Sequence, residues 1–259
     1  MTPAEILADD LAQAAQEMRA RDEAFAFATI VRTVGSTAAK PGAKALLGAD
    51  GTILHGWLGG GCTRGAVKRA VVQALRDGRP QLVSVAPEEL LAAKGVAAGD
   101  NVDGMQFAKN GCPSRGTVDI FIEPCLPPPR LVVMGASPVA KAIAMLAPQF
   151  HWSVAATPTQ GKPHQSCVIV VATQGQGDLD ALKTALGVQP SSLAFVGSRK
   201  KFAALAEKLA DAGFDRSAIA AIRAPAGLDI GAVTPEEIAL SILAQLVQDR
   251  RAAVKHADA

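Results

Sequence analysis

The sequence has few of the residues that nucleic-acid-binding surfaces use. It contains no tyrosine, and aromatic residues make up only 4% of its 259 positions. Bases of single strands stack on aromatic rings, so this scarcity argues against a single-strand-binding surface. The 26 basic and 24 acidic residues leave a net charge of +2, which provides no strong field for nucleic acid. We therefore expect no nucleic-acid partner.

Long apolar runs are also missing. The hydrophobic fraction is 49% and the mean hydropathy is +0.21, yet the strongest apolar stretches, Leu131–Ala136 and Val168–Ala172, are only as long as strands. A helix that spans a membrane needs about 20 apolar residues, so no membrane span is predicted. The first ten residues, MTPAEILADD, lack the basic and apolar regions of a secretory signal. The sequence predicts a soluble, cytoplasmic protein.

Cysteine and histidine are sparse and widely spaced. The cysteines are Cys62, Cys112, Cys125 and Cys167, and the histidines are His55, His151, His164 and His256. No CxxC pair and no metal-ligand spacing is present, which argues against a zinc site. A disulfide framework is not expected in a cytoplasmic chain of this size. Each thiol is therefore judged by its own surroundings.

Residues 1–126 are predicted to form an α+β domain. Apolar residues recur at spacings of three and four from Pro3 to Arg21, which predicts a helix. Asp50-Gly51 between two apolar runs predicts a hairpin. Strands are expected at Phe25–Val31 and Thr117–Ile122, a helix at Cys62–Asp77, and a less regular stretch at Gln81–Gly116.

A proline cluster marks the predicted boundary between two domains. Pro124, Pro127, Pro128 and Pro129 lie within six residues, and such a run is stiff and extended. From residue 127 to 259, strands alternate with helices, which predicts a parallel sheet covered on both faces. A short strand is expected near Ile219–Ile222, and a capping box at Thr234–Glu237 begins the last helix. The fold class is thus α/β: an N-terminal α+β domain followed by a Rossmann-like domain with a parallel sheet.

The candidate site with the strongest pattern is Gly59-Gly60-Gly61-Cys62. Three glycines let the backbone approach a ligand closely, and the following helix presents free N–H groups and a positive dipole end. A thiol at that position has a lowered pKa, and Arg64, Lys68 and Arg69 add positive charge. The pattern suits an anion and a reactive thiolate. A tight turn with a small buried cysteine is the alternative interpretation.

Two further segments of this domain are weaker candidates. The loop Val34–Lys44 carries Ser36 and Lys44, which suit a phosphate, although loops also use such residues for turn chemistry alone. The turn Asn110–Thr117 carries Cys112 just before a strand. An isolated cysteine in a turn is more often incidental than catalytic.

The first turn of the second domain only partly matches a dinucleotide-binding fingerprint. In the segment Gly135–Ala140, Ser137 and Ala140 replace the second and third glycines of GxGxxG. Ser137 as N-cap, with proline at the first helical position, explains the turn without a ligand. The next strand ends at Ala155-Ala156-Thr157, without the acid that binds a ribose diol. The case for NAD is weak.

Other polar residues lie where the parallel strands should end, and ligands of open α/β sheets bind at that edge. They are Thr173, Gln174, Ser198, Arg199 and Asp229. Ser198 beside Arg199 at a helix start is an anion site by the dipole argument. Ordinary loop polarity is the alternative, but three such loops at one sheet edge favour a cleft.

Together these motifs resemble the XdhC/CoxI family. The resemblance rests on GWLGGGC, GASPVA, VVATQG, FVGSRKK and APAGLDIGAVTPEEIALSILAQLV, and it extends from Phe25 to Val247. The GW before the glycines, CPSRGT at Cys112 and SPVA make the chain most similar to the CoxI branch. It departs from the XdhC branch at Thr63-Arg64, where Val-Glu is frequent. It departs from the CoxI branch at Pro113–Gly116, where His-Ser-Gly-Gly is frequent.

This resemblance implies an accessory protein that is not itself an enzyme. Family members are thought to hold the molybdenum cofactor, as molybdopterin or molybdopterin cytosine dinucleotide, and to assist its sulfuration and its insertion into a hydroxylase. Xanthine dehydrogenase and aerobic carbon monoxide dehydrogenase are such hydroxylases. The implied partners are a molybdenum hydroxylase apo-enzyme, a cysteine desulfurase and a second copy of the chain in a homodimer.

The resemblance also implies which residues contact the cofactor, and Cys62 is in addition the expected metal ligand because a soft metal centre suits a thiolate. The full expected set is Ser36, Lys44, Gly59, Gly60, Gly61, Cys62, Cys112, Gly135, Ser137, Thr173, Gln174, Ser198, Arg199 and Asp229. Two other functions stay open. One is a nicotinamide-dependent oxidoreductase with a degenerate Rossmann site, and the other is an adaptor that docks a hydroxylase and a sulfur donor without holding cofactor.

Overall fold

The computed structural model describes residues 3–113, 115–159 and 164–256, and the side chains of residues 3–9, 62 and 253–256 lie outside that description. The chain forms two compact units, Met1–Pro127 and Pro128–Ala259. None of the helices within the described ranges is long and apolar enough to cross a membrane.

The first unit is built on a seven-stranded sheet. Its helices are α1 (Pro3–Ala20), α2 (Gly61–Asp77) and α3 (Glu88–Ala93), and its strands are β1 (Phe25–Val34), β2 (Lys44–Gly48), β3 (Ile53–Gly56), β4 (Gln81–Ala86), β5 (Asn101–Val102), β6 (Met105–Lys109) and β7 (Thr117–Cys125). The strand order is β3-β2-β1-β7-β4-β6-β5, and every pair is antiparallel except β4 with β6.

Alternation along β1 sorts its side chains between two helices. Ala26, Ala28 and Ile30 are fully buried in the core that α2 covers, whereas Phe25 packs in the cluster beneath α1. The sheet presents small side chains to α2, and α2 presents alanines and valines to the sheet. Because the side chains on both surfaces are small, the helix can approach the sheet closely.

Because of the directions of the strands, several connecting segments lie at the same end of this sheet. The carboxyl ends of β1, β3, β4 and β6 lie there with the amino ends of β2 and β7, and α2 begins just after β3. The three candidate loops of the domain therefore leave the sheet at the same edge.

Two sequence-based expectations in this unit are wrong. The stretch expected to be less regular contains β4, α3, β5 and β6. Strand β4 lies within the sheet, and its Val83 and Val85 are buried in the core that α2 covers. Helix α3 packs on other residues of the same stretch through Leu91. Pro124 belongs to β7 rather than to a linker and lies opposite Ala26. Pairing with β4 has already ended at Ile122, so the missing N–H of Pro124 removes no bond to β4.

The second unit is a parallel sheet with helices on both faces. Its strands are β8 (Arg130–Met134), β9 (Ser153–Ala155), β10 (Cys167–Val171) and β11 (Ser192–Phe195), and its helices are α4 (Pro138–Leu146), α5 (Asp178–Gly187), α6 (Arg199–Asp211), α7 (Arg216–Ala220) and α8 (Pro235–His256), with a 3₁₀ turn at Ala147–Phe150. The order β11-β10-β8-β9 is parallel throughout, so the predicted Rossmann-like domain is confirmed. Helices α4 and α8 cover one face, and α5, α6 and α7 cover the other.

The chain reverses its winding direction between β8 and β10, because β9 lies on one side of β8 and β10 lies on the other. Ligands of open α/β sheets bind at the carboxyl ends of the strands at such a switch point. The turn after β8 and the loop after β10 therefore define where a site should lie in this domain.

The strand expected near Ile219–Ile222 is wrong, because α7 continues to Ala220 within this segment, and Ala221 and Ile222 follow in a turn. The Asp215 carboxylate accepts a hydrogen bond from the Ser217 N–H (3.2 Å), which caps the helix. Ile219 and Ile222 are both buried and lie three residues apart, which is a helical rather than an extended spacing. Only Arg223, just beyond, forms an isolated bridge to Ala194.

The boundary at residues 126 and 127 stays a proposal that proteolysis can test. A brief digestion with a non-specific protease should cut first near Leu126–Pro129, between β7 and β8, or in the exposed segment Gly95–Asp100. Neither segment contributes a strand to the two sheets, so cutting there needs little unfolding. Mass spectrometry of the fragments identifies the cuts. Early cleavage within Leu131–Ala172 would contradict the proposed division.

Candidate functional site

The glycine–cysteine turn leaves the start of α2 open. Gly59 is buried with φ +112°, a conformation that favours glycine, and a Cβ there would lie 3.4 Å from the Thr63 hydroxyl. Gly60 is the extended N-cap, and a Cβ on Gly60 or Gly61 would have no heavy atom of the described residues within 4 Å, apart from its chain neighbours. Ligand atoms could therefore approach the backbone of these two glycines without meeting a described side chain from another segment.

The first turn of α2 keeps its backbone donors available. In the described part of the chain no side chain caps this helix, and its first turn contains no acidic residue. By contrast, Ser137 caps α4 and Ser198 caps α6. Unpaired N–H groups at a helix start attract anions. The backbone of Cys62 lies in this turn, while its thiol lies outside the described residues, so its predicted low pKa stays a prediction.

The loop that follows β1 contacts both other candidate segments of this domain. Ser36 forms an isolated bridge with Arg115, and a Cβ on Gly116 would overlap the Ser36 carbonyl oxygen. On its other side, the buried Ala39 has its Cβ 3.8 Å from the position of a Cβ on Gly59. The structure thus brings together three segments that are far apart in the sequence.

Asn110 organises the turn that carries Cys112. Its side-chain oxygen accepts a hydrogen bond from the Cys112 N–H (2.9 Å), and its side-chain nitrogen donates to the Gly116 carbonyl (2.6 Å). Arg115 has a positive φ of 51° and forms an ion pair with Glu89 (3.1 Å). Cys112 itself is exposed, so a ligand at this edge could reach it.

Lys44 lies at the start of β2, beside the strand that leads to the glycine turn. Its carbonyl accepts a hydrogen bond from the Trp57 N–H (3.3 Å), and a Cβ on Gly56 would overlap that same carbonyl oxygen. The Lys44 side chain is exposed. The Lys44 backbone therefore holds Gly56 and Trp57, the residues that lead to Gly59, and its exposed ammonium is accessible to an anion.

The other two thiols, those of Cys125 and Cys167, are partly buried. Burial raises the pKa of the Cys125 thiol, against opposing effects of Arg19. Burial also raises the pKa of the Cys167 thiol, against a smaller opposing effect of Arg130. A raised pKa reduces the thiolate fraction, so both are less reactive than an ordinary cysteine.

The second unit has its own cleft, of about 250 Å³, at the switch point between β8 and β10. Its lining is mostly apolar and consists of Ser137, Pro138, Val139, Ala172, Gln174, Val196, Val233, Pro235 and Ile238. Gly135 has φ +118°, and a Cβ there would lie 2.5 Å from the Ala172 carbonyl oxygen. The turn after β8 therefore packs directly on the end of β10. Ser137 is buried and accepts a hydrogen bond from the Ala140 N–H (3.1 Å), as predicted for an N-cap.

A buried carboxylate at the end of β10 was not predicted from the sequence. Asp178 accepts hydrogen bonds from the Thr173 hydroxyl and the Gly175 N–H (3.0 Å), and it pairs with the Lys201 ammonium. Burial would raise the pKa of Asp178, but these three donors together lower it. The acid at the start of α5 was the signal available, since Asp178 follows a glycine-rich loop. The Thr173 hydroxyl therefore already donates its hydrogen bond to Asp178.

The remaining candidates of this domain do not line the cleft. Ser198 accepts a hydrogen bond from the Lys201 N–H (3.3 Å), and Arg199 is exposed beside it. Asp229 is exposed in the loop before α8. Gly135, Ser137 and Gln174 are together at the cleft, with Thr173 next to them. Over the described ranges, no group of three or more His, Cys, Asp or Glu residues could hold a metal ion.

These features define a protein with a glycine–cysteine turn in its first domain and a parallel Rossmann domain with a degenerate fingerprint in its second. Residues 18–86 match the XdhC and CoxI family, and residues 131–246 match the XdhC Rossmann domain. The chain belongs to the XdhC and CoxI family, which confirms the resemblance. Its assignment to the CoxI branch stays a prediction.

The chain is also similar to two individual proteins. The uncharacterized protein YqeB of Escherichia coli strain K12 is 30% identical over 251 residues, which cover 86% of this chain and 43% of that protein. The chain thus spans less than half the length of this relative. The crystal structure of a xanthine dehydrogenase from Bacillus halodurans shares 19% identity, covering 97% of this chain and 96% of that chain, with a TM-score of 0.40.

Proposed function

We propose that this protein is a molybdenum-cofactor chaperone that assists cofactor sulfuration and insertion into a molybdenum hydroxylase. The observation that carries the proposal is the open first turn of α2, where Gly60 and Gly61 leave the backbone uncovered and Cys62 follows immediately. Membership of the XdhC and CoxI family supports the molybdenum context. In this role the protein holds and transfers a cofactor and does not itself turn over a substrate.

The residues at this edge fit such a cofactor. Its phosphate is an anion, which the uncapped N–H groups of α2 and the exposed Lys44 and Arg64 can hold. When bound, the cofactor supplies a soft molybdenum–sulfur centre. Cys62 would lie on the first turn of α2 to meet that centre, and Ser36 and Cys112 lie on the two neighbouring loops.

The Rossmann domain would offer a second set of contacts. Gly135 allows the turn after β8 to pack against β10, and Ser137 and Gln174 line the cleft beside it. The Ser137 hydroxyl oxygen already accepts from its own helix, so the Gln174 amide is the polar group with more freedom to bind. Ser198, Arg199 and Asp229 are proposed as outer contacts, because they do not line this cleft.

The proposed partners follow from the task of a chaperone. A molybdenum hydroxylase apo-enzyme would receive the cofactor, and a cysteine desulfurase would supply the sulfur. A homodimer is the proposed assembly. We further propose that the protein acts in the cytoplasm, where disulfides do not compete for its thiols.

A nicotinamide-dependent oxidoreductase is the alternative function, and the geometry of the Rossmann domain disfavours it. After β9 the chain continues with Ala156 and Thr157 instead of an acid for the ribose. Hydrogen bonds from Arg130 hold the Thr157 carbonyl (3.1 Å) and the Thr159 hydroxyl, so the guanidinium is already engaged by protein. Neither feature resembles an adenosine pocket.

Protein purified after co-expression with the cofactor-synthesis enzymes should release a fluorescent pterin on oxidation, in an amount approaching one per chain. The same protein should show no saturable binding of NADH or NADPH at micromolar concentration, measured by nicotinamide fluorescence. The physical reasons are the open anion site of α2 and the missing ribose acid after β9. Micromolar NADH binding without released pterin would support the oxidoreductase. Hydroxylase and desulfurase captured by pterin-free protein would support a pure adaptor.

A further inference from the structure

The first domain has a cavity between the β2–β3 hairpin and α2. It measures about 470 Å³, and its lining includes Gly56, Trp57, Arg64, Gly65 and Lys68. It adjoins the glycine turn in sequence, because Trp57 precedes Gly59 and Arg64 follows Cys62. Of these five residues, Arg64 and Lys68 are already proposed or predicted to add positive charge near the glycine turn, whereas Gly56, Trp57 and Gly65 have no role assigned so far.

The indole of Trp57 is unusually accessible. Its relative exposure is 42%, whereas the other tryptophan, Trp152, is 5% exposed beneath Arg250. Tryptophan has a large apolar surface that folding normally covers. An exposed indole at the wall of a cavity provides a flat surface on which a planar ring can stack.

Two cations share this cavity with the indole. Arg64 and Lys68 are one helical turn apart on α2, both are exposed, and neither forms an ion pair within the described residues. Hydrogen bonds from Thr52 lower the pKa of Asp50, with a smaller contribution from Lys68. Because Asp50 is engaged by the Thr52 N–H (2.9 Å), the two cations keep donors for another anion.

Gly65 lies in the interior of α2 and lines the same cavity. Glycine in a helix interior costs about 1 kcal/mol relative to alanine. Apart from the backbone of α2 and its chain neighbours, a Cβ on Gly65 would have, among the described residues, only the Arg69 guanidinium within 4 Å, at 3.9 Å, so packing does not require glycine there. Because glycine has no side chain, the cavity stays open at the position between Arg64 and Lys68.

The geometry points to a subsite for a planar heterocycle that carries a phosphate, with Trp57 stacking on the ring and Arg64 and Lys68 binding the phosphate. This inference rests on the proposed function where it names the heterocycle as the pterin of the molybdenum cofactor. A nucleotide has the same ring-and-phosphate chemistry, so the test must separate the two.

The test is a titration with neopterin monophosphate, whose own emission reports binding by fluorescence anisotropy. The chain has no tyrosine and two tryptophans, so Trp152→Phe leaves Trp57 as the single emitter and provides a second readout. We expect saturable binding and quenching of Trp57. Neopterin without phosphate should bind at least about tenfold more weakly, because it lacks the group that Arg64 and Lys68 bind. Cytidine monophosphate carries both a ring and a phosphate, but it should also bind more weakly, because its single ring covers less of the indole than the two fused rings of a pterin do.

Variants assign the two halves of the subsite. Arg64→Ala with Lys68→Ala should weaken neopterin monophosphate at least about tenfold and leave neopterin unchanged, because both side chains are exposed and contribute charge. Trp57→Ala should weaken both pterins. Arg76→Ala with Lys208→Ala is the control, since it removes two exposed positive charges that do not line the cavity. Thermal unfolding checks that all variants fold.

Several results would overturn the inference: no saturable binding, equal losses in the control pair, or tighter binding of cytidine monophosphate than of the pterin. Pterin retained after co-expression is measured separately. If Trp57→Ala binds no neopterin monophosphate yet retains pterin like the wild type, the assignment of the cofactor's pterin to this subsite is wrong and the chaperone proposal stands. If the wild type retains no pterin while the cavity binds the probe, the chaperone proposal fails and the recognition chemistry of the cavity stands.

Discussion

Cys62→Ser should abolish retention of pterin while leaving the fold intact. Serine preserves the size of the residue in the first turn of α2, but its hydroxyl is neither a soft ligand nor a nucleophile at neutral pH. Released pterin per chain should therefore fall at least about tenfold, and activation of the hydroxylase should be lost with it. The measurements are oxidative pterin fluorescence and thermal unfolding of the same preparations.

Cys167→Ala is the matched control for this substitution. Cys167 begins a strand of the Rossmann sheet, and burial raises the pKa of its thiol. Removing its sulfur should cost about 1 kcal/mol of stability through a small cavity and leave pterin retention unchanged. Cys112→Ser, on the neighbouring turn, should give a partial loss. Wild-type retention by Cys62→Ser together with a loss in Cys167→Ala would show that the site is wrongly placed.

Gly135→Ala should destabilise the Rossmann domain by at least about 3 kcal/mol. The backbone there has φ +118°, and the new Cβ would lie 2.5 Å from the Ala172 carbonyl oxygen and 2.7 Å from its carbon. The turn after β8 would have to separate from the end of β10. Denaturant unfolding followed by Trp152 emission in a Trp57→Phe background measures the change in this domain, since Trp152 is buried in it.

Gly177→Ala separates strain from overlap. Gly177 also has a positive φ, +79°, but a Cβ there would meet no heavy atom of the described residues within 4 Å beyond its chain neighbours. This control should lose only about 1 to 2 kcal/mol, the difference between left-handed and ordinary backbone for alanine. Equal losses for the two substitutions would mean that close packing of Gly135 on β10 does not stabilise the domain.

Local signals in the sequence predicted most of the helices and the parallel sheet. The hydroxyl of Ser137 caps α4, and Thr234 with Glu237 forms a capping box in which the Glu237 carboxylate accepts from the Thr234 N–H (2.9 Å). These patterns are read within four residues, so they do not depend on distant contacts. The spacing of three residues between Ile219 and Ile222 is also a local signal, and it indicates a helix rather than the predicted strand.

Contacts between distant segments were beyond such patterns. The approach of Ser36 to Arg115, and of Ala39 to Gly59, depends on strand order and on glycines with no side chain to signal a partner. The pairing of Asp178 with Lys201 joins two helices 23 positions apart along the chain. In the sequence, Asp178 follows β10 and Lys201 follows β11, but only the fold shows that these two residues meet.

The buried Asp178 network makes the edge of the Rossmann cleft sensitive to acid. Its folded pKa lies below its ordinary value, so its contribution to stability is fully present above the unfolded pKa. That contribution is lost as the pH falls through the folded pKa. Protonation would then release Lys201 and weaken the hold on Thr173 and Gly175. At neutral pH the loop after β10 is held by a charge, whereas in strong acid it becomes free to move and the cleft loses one of its walls.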